Sequence, residues 1–139
     1  ASCGYQPLYK TNKESNYLKI KEINFIGDIN LSKKIYSKLP FILVKKDESL
    51  NLAILESSIN ITESSKNSKG QVTSYRTTLA LKLKILSNDN KIINEKSLQK
   101  EFTYNTGENK FQFKEYQDKI KEDLVDDIVE DVIFYLNYL

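Results

Sequence analysis

Between Gln71 and Leu86 the chain alternates in character: Tyr75, Thr77, Leu79, Leu81, Leu83 and Ile85 take the odd positions, and Arg76, Thr78, Ala80, Lys82 and Lys84 the even ones. In a β-strand successive side chains point to opposite faces, so this pattern demands a sheet with one face buried and the other polar. Two more extended stretches flank it. Leu50 to Ser64 carries Leu52, Ile54, Ile59 and Ile61, and Lys91 to Thr106 carries Ile92, Ile93, Leu98, Phe102 and Tyr104. The connections, Ser65 to Gly70 and Ser87 to Asn90, are built of Ser, Asn, Asp, Lys and Gly, which include the residue types that tolerate the left-handed backbone of a hairpin. Connections this short imply an antiparallel meander.

The remaining segments are expected to pack on that meander. Tyr17 to Ile26 has Leu18, Ile20, Ile23 and Phe25, with a change of phase at Lys21 and Glu22 that predicts a bulged strand ended by Gly27 and Asp28. Asn30 is the expected N-cap of a short helix through about Leu39, with Leu31, Ile35 and Leu39 at four-residue spacing and Pro40 as its stop. Phe41 to Ser49 reads as a connection. From about Phe111 to the end, Phe113, Tyr116, Ile120, Leu124, Ile128, Val132, Tyr135 and Leu139 form a stripe widened by Val125, Val129 and Leu136. At about 1.5 Å per residue, that helix spans ~40 Å, the length of the strands it would cover.

The predicted class is therefore α+β: a two-layer sandwich in the order strand, helix, three antiparallel strands, helix, with a four-stranded sheet and both helices on one face. Residues 1–16 read as a tether and 17–139 as a single domain.

Composition narrows the function. Apolar residues make up 40% and charged residues 29% of the 139, which suits a globular domain, and no stretch approaches the roughly 20 apolar residues of a membrane-spanning helix. Histidine is absent, so the commonest general base and the commonest metal ligand are both missing. Ser57, Ser58 and Ser64 therefore have no histidine partner, and we expect no enzyme, no cofactor and no metal site. The acidic side of the last helix, from Glu115 through Asp118, Glu122, Asp123, Asp126, Asp127, Glu130 and Asp131, reads as a solvated face. A net charge of +2 with Arg76 as the lone arginine does not argue for nucleic acid. A double-stranded RNA-binding domain shares the order helix, three strands, helix, but its final helix is densely basic.

Two features point to a site. Ala1-Ser2-Cys3-Gly4 places small residues before the chain's single cysteine, as at the processing site of a bacterial lipoprotein; the other reading of Cys3 is an ordinary thiol. If the helical crossover makes the first two long strands parallel and right-handed, Lys66 and Lys69 in the first hairpin turn fall at the same end of the sheet as Lys110 and Lys114 at the start of the last helix. Ammonium groups beside a helix N-terminus, with its exposed N–H groups and positive dipole end, suit phosphate. Cys3 would enter from the opposite end.

Cys3-Gly4-Tyr5-Gln6-Pro7-Leu8-Tyr9, Val72-Thr73-Ser74-Tyr75-Arg76-Thr77-Thr78-Leu79, Phe102-Thr103-Tyr104-Asn105 and the run from Phe113-Lys114-Glu115-Tyr116-Gln117 to Leu124-Val125-Asp126-Asp127-Ile128 together resemble the LptE family of LPS-assembly lipoproteins. The resemblance implies that Cys3 is lipidated and anchors the protein at the periplasmic side of the outer membrane. It implies a protein that plugs and helps assemble the barrel of LptD, and that binds lipopolysaccharide. It also implies that Lys66, Lys69 and Lys114 occupy the places where basic residues engage that ligand, with Lys110 beside them. A periplasmic lipoprotein with another partner is the competing function.

Overall fold

The computed structural model of the chain describes residues 17–107 and 109–139. Seven elements follow one another: β1 (Leu18–Gly27), α1 (Ile29–Ser37), β2 (Phe41–Leu43), β3 (Asn51–Lys66), β4 (Val72–Leu86), β5 (Ile92–Asn105) and α2 (Lys110–Leu136). They form a mixed α+β fold with one sheet in the order β2-β1-β3-β4-β5. β1 is parallel to both β2 and β3, whereas β3, β4 and β5 pair antiparallel.

β4 is an interior strand, paired along both edges and buried on one face. Leu79, Leu81, Leu83 and Ile85 are buried, and opposite them on β3 stand Ile59, Ser57, Leu55 and Ala53. Onto this row α2 lays Ile120, Leu124, Ile128 and Val132, with Val125 and Val129 beside them, all buried. Each such side chain, fully removed from water, contributes about 1.5–3 kcal/mol, which is why the two layers stay together. Ile35 and Leu39 from the α1 side join the same core, so both helices lie on one face of the sheet. An ion pair of 3.0 Å between Lys38 and Asp126 ties the two helical segments across the surface.

The sheet has five strands, not the four expected from sequence. Phe41–Leu43, expected as part of a connection, pairs in parallel with Leu18–Ile20. Three residues are too few for alternation to be legible; what holds them is context. The Leu18 amide donates to the Pro40 carbonyl at 2.8 Å, the Val44 amide donates to the Ile20 carbonyl at 2.9 Å, and Phe41 stacks on Tyr36 with ring centres 5.8 Å apart. The expected irregularity in β1 is present, as a register shift between Ile20 and Glu22 that lets Ile20 and then Ile23 and Phe25 all face the core.

The N-cap of α1 is also different. Asp28, not Asn30, caps it, its carboxylate accepting from the Leu31 amide at 3.1 Å. The chain must turn here because Gly27 has φ +80° and lies directly against Ser57 of β3. The Asp28 amide donates to the Ser57 carbonyl (2.9 Å), the Ser57 hydroxyl donates to the Asp28 carbonyl (3.1 Å), and the Ser32 and Ser57 hydroxyls share a buried bond of 2.7 Å. α1 ends at Ser37 rather than near Leu39, with the Lys38 and Leu39 amides closing onto Ile35 and Tyr36.

The two hairpins use one turn design. Asn67 pairs with Gln71 (2.9 Å) and accepts from the Gly70 amide (3.0 Å); Ser87 pairs with Lys91 (2.8 Å) and accepts from the Asn90 amide (2.9 Å). Gly70 at φ +81° and Asn90 at φ 66° supply the left-handed residue each turn needs.

Gly27 and Gly70 make a matched test, since both are left-handed but only Gly27 is crowded. A side chain at Gly70 meets nothing within 4 Å, whereas at Gly27 it collides with the Ser57 carbonyl oxygen. Gly70→Ala is expected to destabilise by about 1 kcal/mol, the left-handed penalty alone. Gly27→Ala is expected to exceed it severalfold, at about 3 kcal/mol or more, in urea unfolding. Equal losses would show that the β1–α1 joint does not depend on close backbone approach.

Candidate functional site

Strand direction decides what meets at each end. β1 and β3 run the same way, β4 returns and β5 runs forward again, so the β3–β4 turn, the end of β5 and the start of α2 share one end of the molecule. The Thr106 amide bonding to the Thr73 carbonyl at 3.0 Å closes that end. The described chain enters at the other end, where Leu18 is tied to Pro40. From the level of Ile20, which pairs with Asn51, β3 runs on to Lys66 over roughly 50 Å of strand contour.

The four lysines singled out from sequence all lie on elements at the tip, but their surroundings differ. Lys66 is the last residue of β3, opposite Val72, rather than part of the turn proper; its ammonium lies 3.5 Å from Glu63. Lys69 is exposed within the turn, and its amide donates to the Asn67 side chain at 2.9 Å. Asn67 also accepts from the Gln71 amide (3.0 Å), and the Ser65 hydroxyl bonds to those of Thr73 (2.7 Å) and Ser74 (2.6 Å), so the hairpin base is cross-linked by side chains. Lys110 opens α2 and is exposed. Lys114, one turn on, holds both carboxylate oxygens of Asp118 at 2.8 and 3.0 Å, which lowers the Asp118 carboxyl below its ordinary value, chiefly through that hydrogen bond. Lys69 and Lys110 have no salt bridge among the described residues. Cys3 lies outside the described residues.

The helix terminus contributes less than expected. The Asn109 side chain caps α2 by accepting from the Phe111 amide (2.9 Å) and the Gln112 amide (3.1 Å). Two of the terminal donors that an anion would use are thereby occupied, and the cationic character of the tip rests on the ammonium groups.

Beneath the lysines lies an aromatic cluster that sequence reasoning missed. Tyr104 is buried between Tyr75 (6.4 Å between ring centres), Phe113 (5.9 Å) and an edge-on Tyr116 (5.8 Å), with Phe102 stacked at 6.4 Å and Tyr75 reaching Phe113 at 5.7 Å. The Tyr104 hydroxyl bonds to Thr77 (2.8 Å) and accepts from the Gln117 side chain (3.0 Å). α2 is thus pinned to β4 and β5 within two turns of its start. Tyr75 and Tyr104 stand opposite each other in the β4–β5 register, and Phe113 and Tyr116 are three apart on the helix; the hairpin pairing was the missing link.

No protein-family model matches the sequence, and no curated protein matches it. Solved structures do. Rare lipoprotein B from Shewanella oneidensis superposes with a TM-score of 0.65 at 8% identity, covering 84% of this chain and 94% of that one. A minor lipoprotein from Acinetobacter baumannii gives 0.60 at 12%, covering 86% and 92%, and an uncharacterized lipoprotein B from Nitrosomonas europaea gives 0.52 at 15%, covering 85% and 83%. At these identities the likeness is one of architecture: this chain has a fold found in bacterial lipoproteins, rare lipoprotein B among them.

Proposed function

We propose that this chain is a lipid-anchored outer-membrane lipoprotein of the LptE type. In this reading Cys3 carries the acyl anchor on the periplasmic side, the domain plugs and helps assemble an LptD-type barrel, and the tip engages lipopolysaccharide. The observation that carries it is polarity. The described residues begin at the end opposite the lysine-bearing turn, so an anchor on the preceding segment leaves Lys66, Lys69, Lys110 and Lys114 at the far end. A fold in common with bacterial lipoproteins supports the same reading. The chemistry is non-covalent: phosphate oxygens accept charge-assisted hydrogen bonds from the ammonium groups, and no bond is made or broken.

Replacing Lys66, Lys69 and Lys114 together with Gln is expected to weaken lipopolysaccharide binding roughly tenfold, equivalent to about 1.4 kcal/mol, without changing the circular dichroism spectrum. Undiminished binding by the folded triple variant would sink the tip assignment. Mass spectrometry of the protein extracted from membranes is expected to find Cys3 acylated, and a non-acylated Cys3 would remove the anchor. Retrieval of some other partner in place of an LptD-type barrel would favour a periplasmic lipoprotein of different function.

Asp118 provides a second reporter. Its folded carboxyl is lowered by Lys114, so the pair stabilises the protein above the ordinary carboxylate value and loses that contribution as pH falls through the lowered folded value. Lys114→Gln is expected to raise the Asp118 titration toward its ordinary value in a carbon-detected NMR titration. Lipopolysaccharide phosphate should move Asp118 in the same direction by drawing Lys114 away. An unmoved Asp118 in the complex would show that Lys114 stays with its carboxylate and does not reach the ligand.

A further inference from the structure

Among the described residues β5 is an outer strand of the sheet, paired with β4 alone. Along its 14 residues, alternate backbone N–H and C=O groups face away from β4, with no strand among the described residues to receive them. α2 lies across the inner face of β5 without filling the seam between them. Lys100 bridges that seam by pairing with Asp131 at 3.0 Å, and the Lys96 ammonium sits 5.8 Å from the centre of the Tyr135 ring. To either side of the bridge the seam opens. The upper pocket, about 260 Å³, is walled by Phe102, Tyr116, Ile120 and Leu124, and Phe102 and Tyr116 remain 47% and 44% exposed there. The lower pocket, about 230 Å³, is walled by Leu98, Phe134 and Tyr138.

We propose that the free edge of β5 and the seam beside it receive an extended segment of a partner polypeptide as an added strand, recognised through two apolar side chains four residues apart. The proposal requires neither the lipid anchor nor the lysine tip. A row of unpaired backbone groups is satisfied in register by another main chain, which neither an acyl chain nor a saccharide supplies. Phe102 and Leu98 stand four residues apart on one face of β5, one at each pocket. An added strand repeats its same-face side chains every second residue, so positions i and i+4, about 13 Å apart, fill both pockets. Position i+2 then lies over the Lys100–Asp131 bridge, where a hydroxyl side chain can bond to either charge.

Charge sets the direction of the incoming strand. Lys119 is paired with Asp123 at 3.6 Å and Lys100 with Asp131, which leaves Asp127 at the upper pocket and Lys96 at the lower without a salt bridge among the described residues. A strand antiparallel to β5 enters at the upper end, so its N-terminal side should be basic and its C-terminal side acidic. In the registers centred on Leu98 or Lys100 a second copy of this chain fits poorly. Self-pairing centred on Leu98 would set Lys96 against Lys100 and Glu95 against Glu101, and centring on Lys100 would set that lysine against its twin.

The test is an NMR titration of the full chain, isotopically labelled, with a blocked nine-residue peptide. It carries Lys first, Leu third and seventh, Glu ninth and Thr elsewhere. Saturable shifts and slowed amide exchange confined to residues 95–103 and the facing side of α2 are expected. Asp127→Lys, at an exposed position, should weaken binding about fivefold, and a peptide with Glu in place of the first-position Lys should recover it on that variant. Absence of saturation at millimolar peptide would overturn the proposal. So would shifts centred on the lysine turn or the polar sheet face, or an Asp127→Lys variant that binds both peptides alike. A free chain that sediments as a dimer with its β5 amides already protected would assign the edge to self-association instead.

Discussion

Everything in this molecule is arranged around the one-sided burial of β4. It is paired along both edges, so its backbone is satisfied without water, and its odd-numbered side chains have a single dry direction in which to point. That fixes which face of β3 and β5 turns inward, because residues opposite one another in an antiparallel ladder share a face. It also fixes where α2 must lie, since its stripe from Ile120 to Val132 has only this row to cover. A one-residue slip of β4 would put Lys82 and Lys84 into the core, so the register is strongly specified. The opposite face can stay polar, with Arg76–Glu101 (3.4 Å) and Lys82–Glu95 (3.8 Å) as exposed cross-strand pairs of modest worth.

The polarity of the molecule comes from a second, smaller constraint. β1 joins the sheet beside β3, and the chain leaves β1 through the tight joint at which Gly27 touches Ser57. The exchange of hydrogen bonds between Asp28 and Ser57, with the buried Ser32 hydroxyl closing the group, holds the crossover so that β1 and β3 run parallel. An antiparallel β1 would bring the N-terminal segment to the same end as the lysines. The separation between entry and tip therefore rests on a few atoms of backbone and two serine hydroxyls.

The meander was legible because alternation over fifteen residues has no competing explanation, and the stripe of α2 was legible for the same reason of length. β2 was not, since Phe41–Leu43 is held by its parallel neighbour and by Tyr36 rather than by any pattern of its own. The cap of α1 was misplaced by two residues because Asn30 and Asp28 are both good caps, and only the approach to Ser57 decides between them. At the tip, the positions of the lysines followed from topology, but their partners did not. Glu63 and Asp118 lie three and four residues away along their own elements, while the aromatic cluster depends on the β4–β5 register.

Those partners bear on what a tip of this kind could recognise. Glu63 and Asp118 already share two of the four ammonium groups, and Asn109 already occupies two amides of the helix terminus. An incoming anion therefore competes with carboxylates that are covalently close and always present. A singly charged group gains little by such an exchange at an exposed site. In the proposed reading, a ligand with several phosphates competes better than a single anion, because it can meet more than one ammonium group at once. In that reading the acidic partners Glu63 and Asp118 set a threshold that disfavours scattered monoanions relative to a dense anionic head group. The hydroxyls of Ser65, Thr73 and Ser74 tie the base of the β3–β4 hairpin together, and Tyr104 ties the start of α2 to β4 and β5, so the lysine-bearing segments are anchored to one sheet.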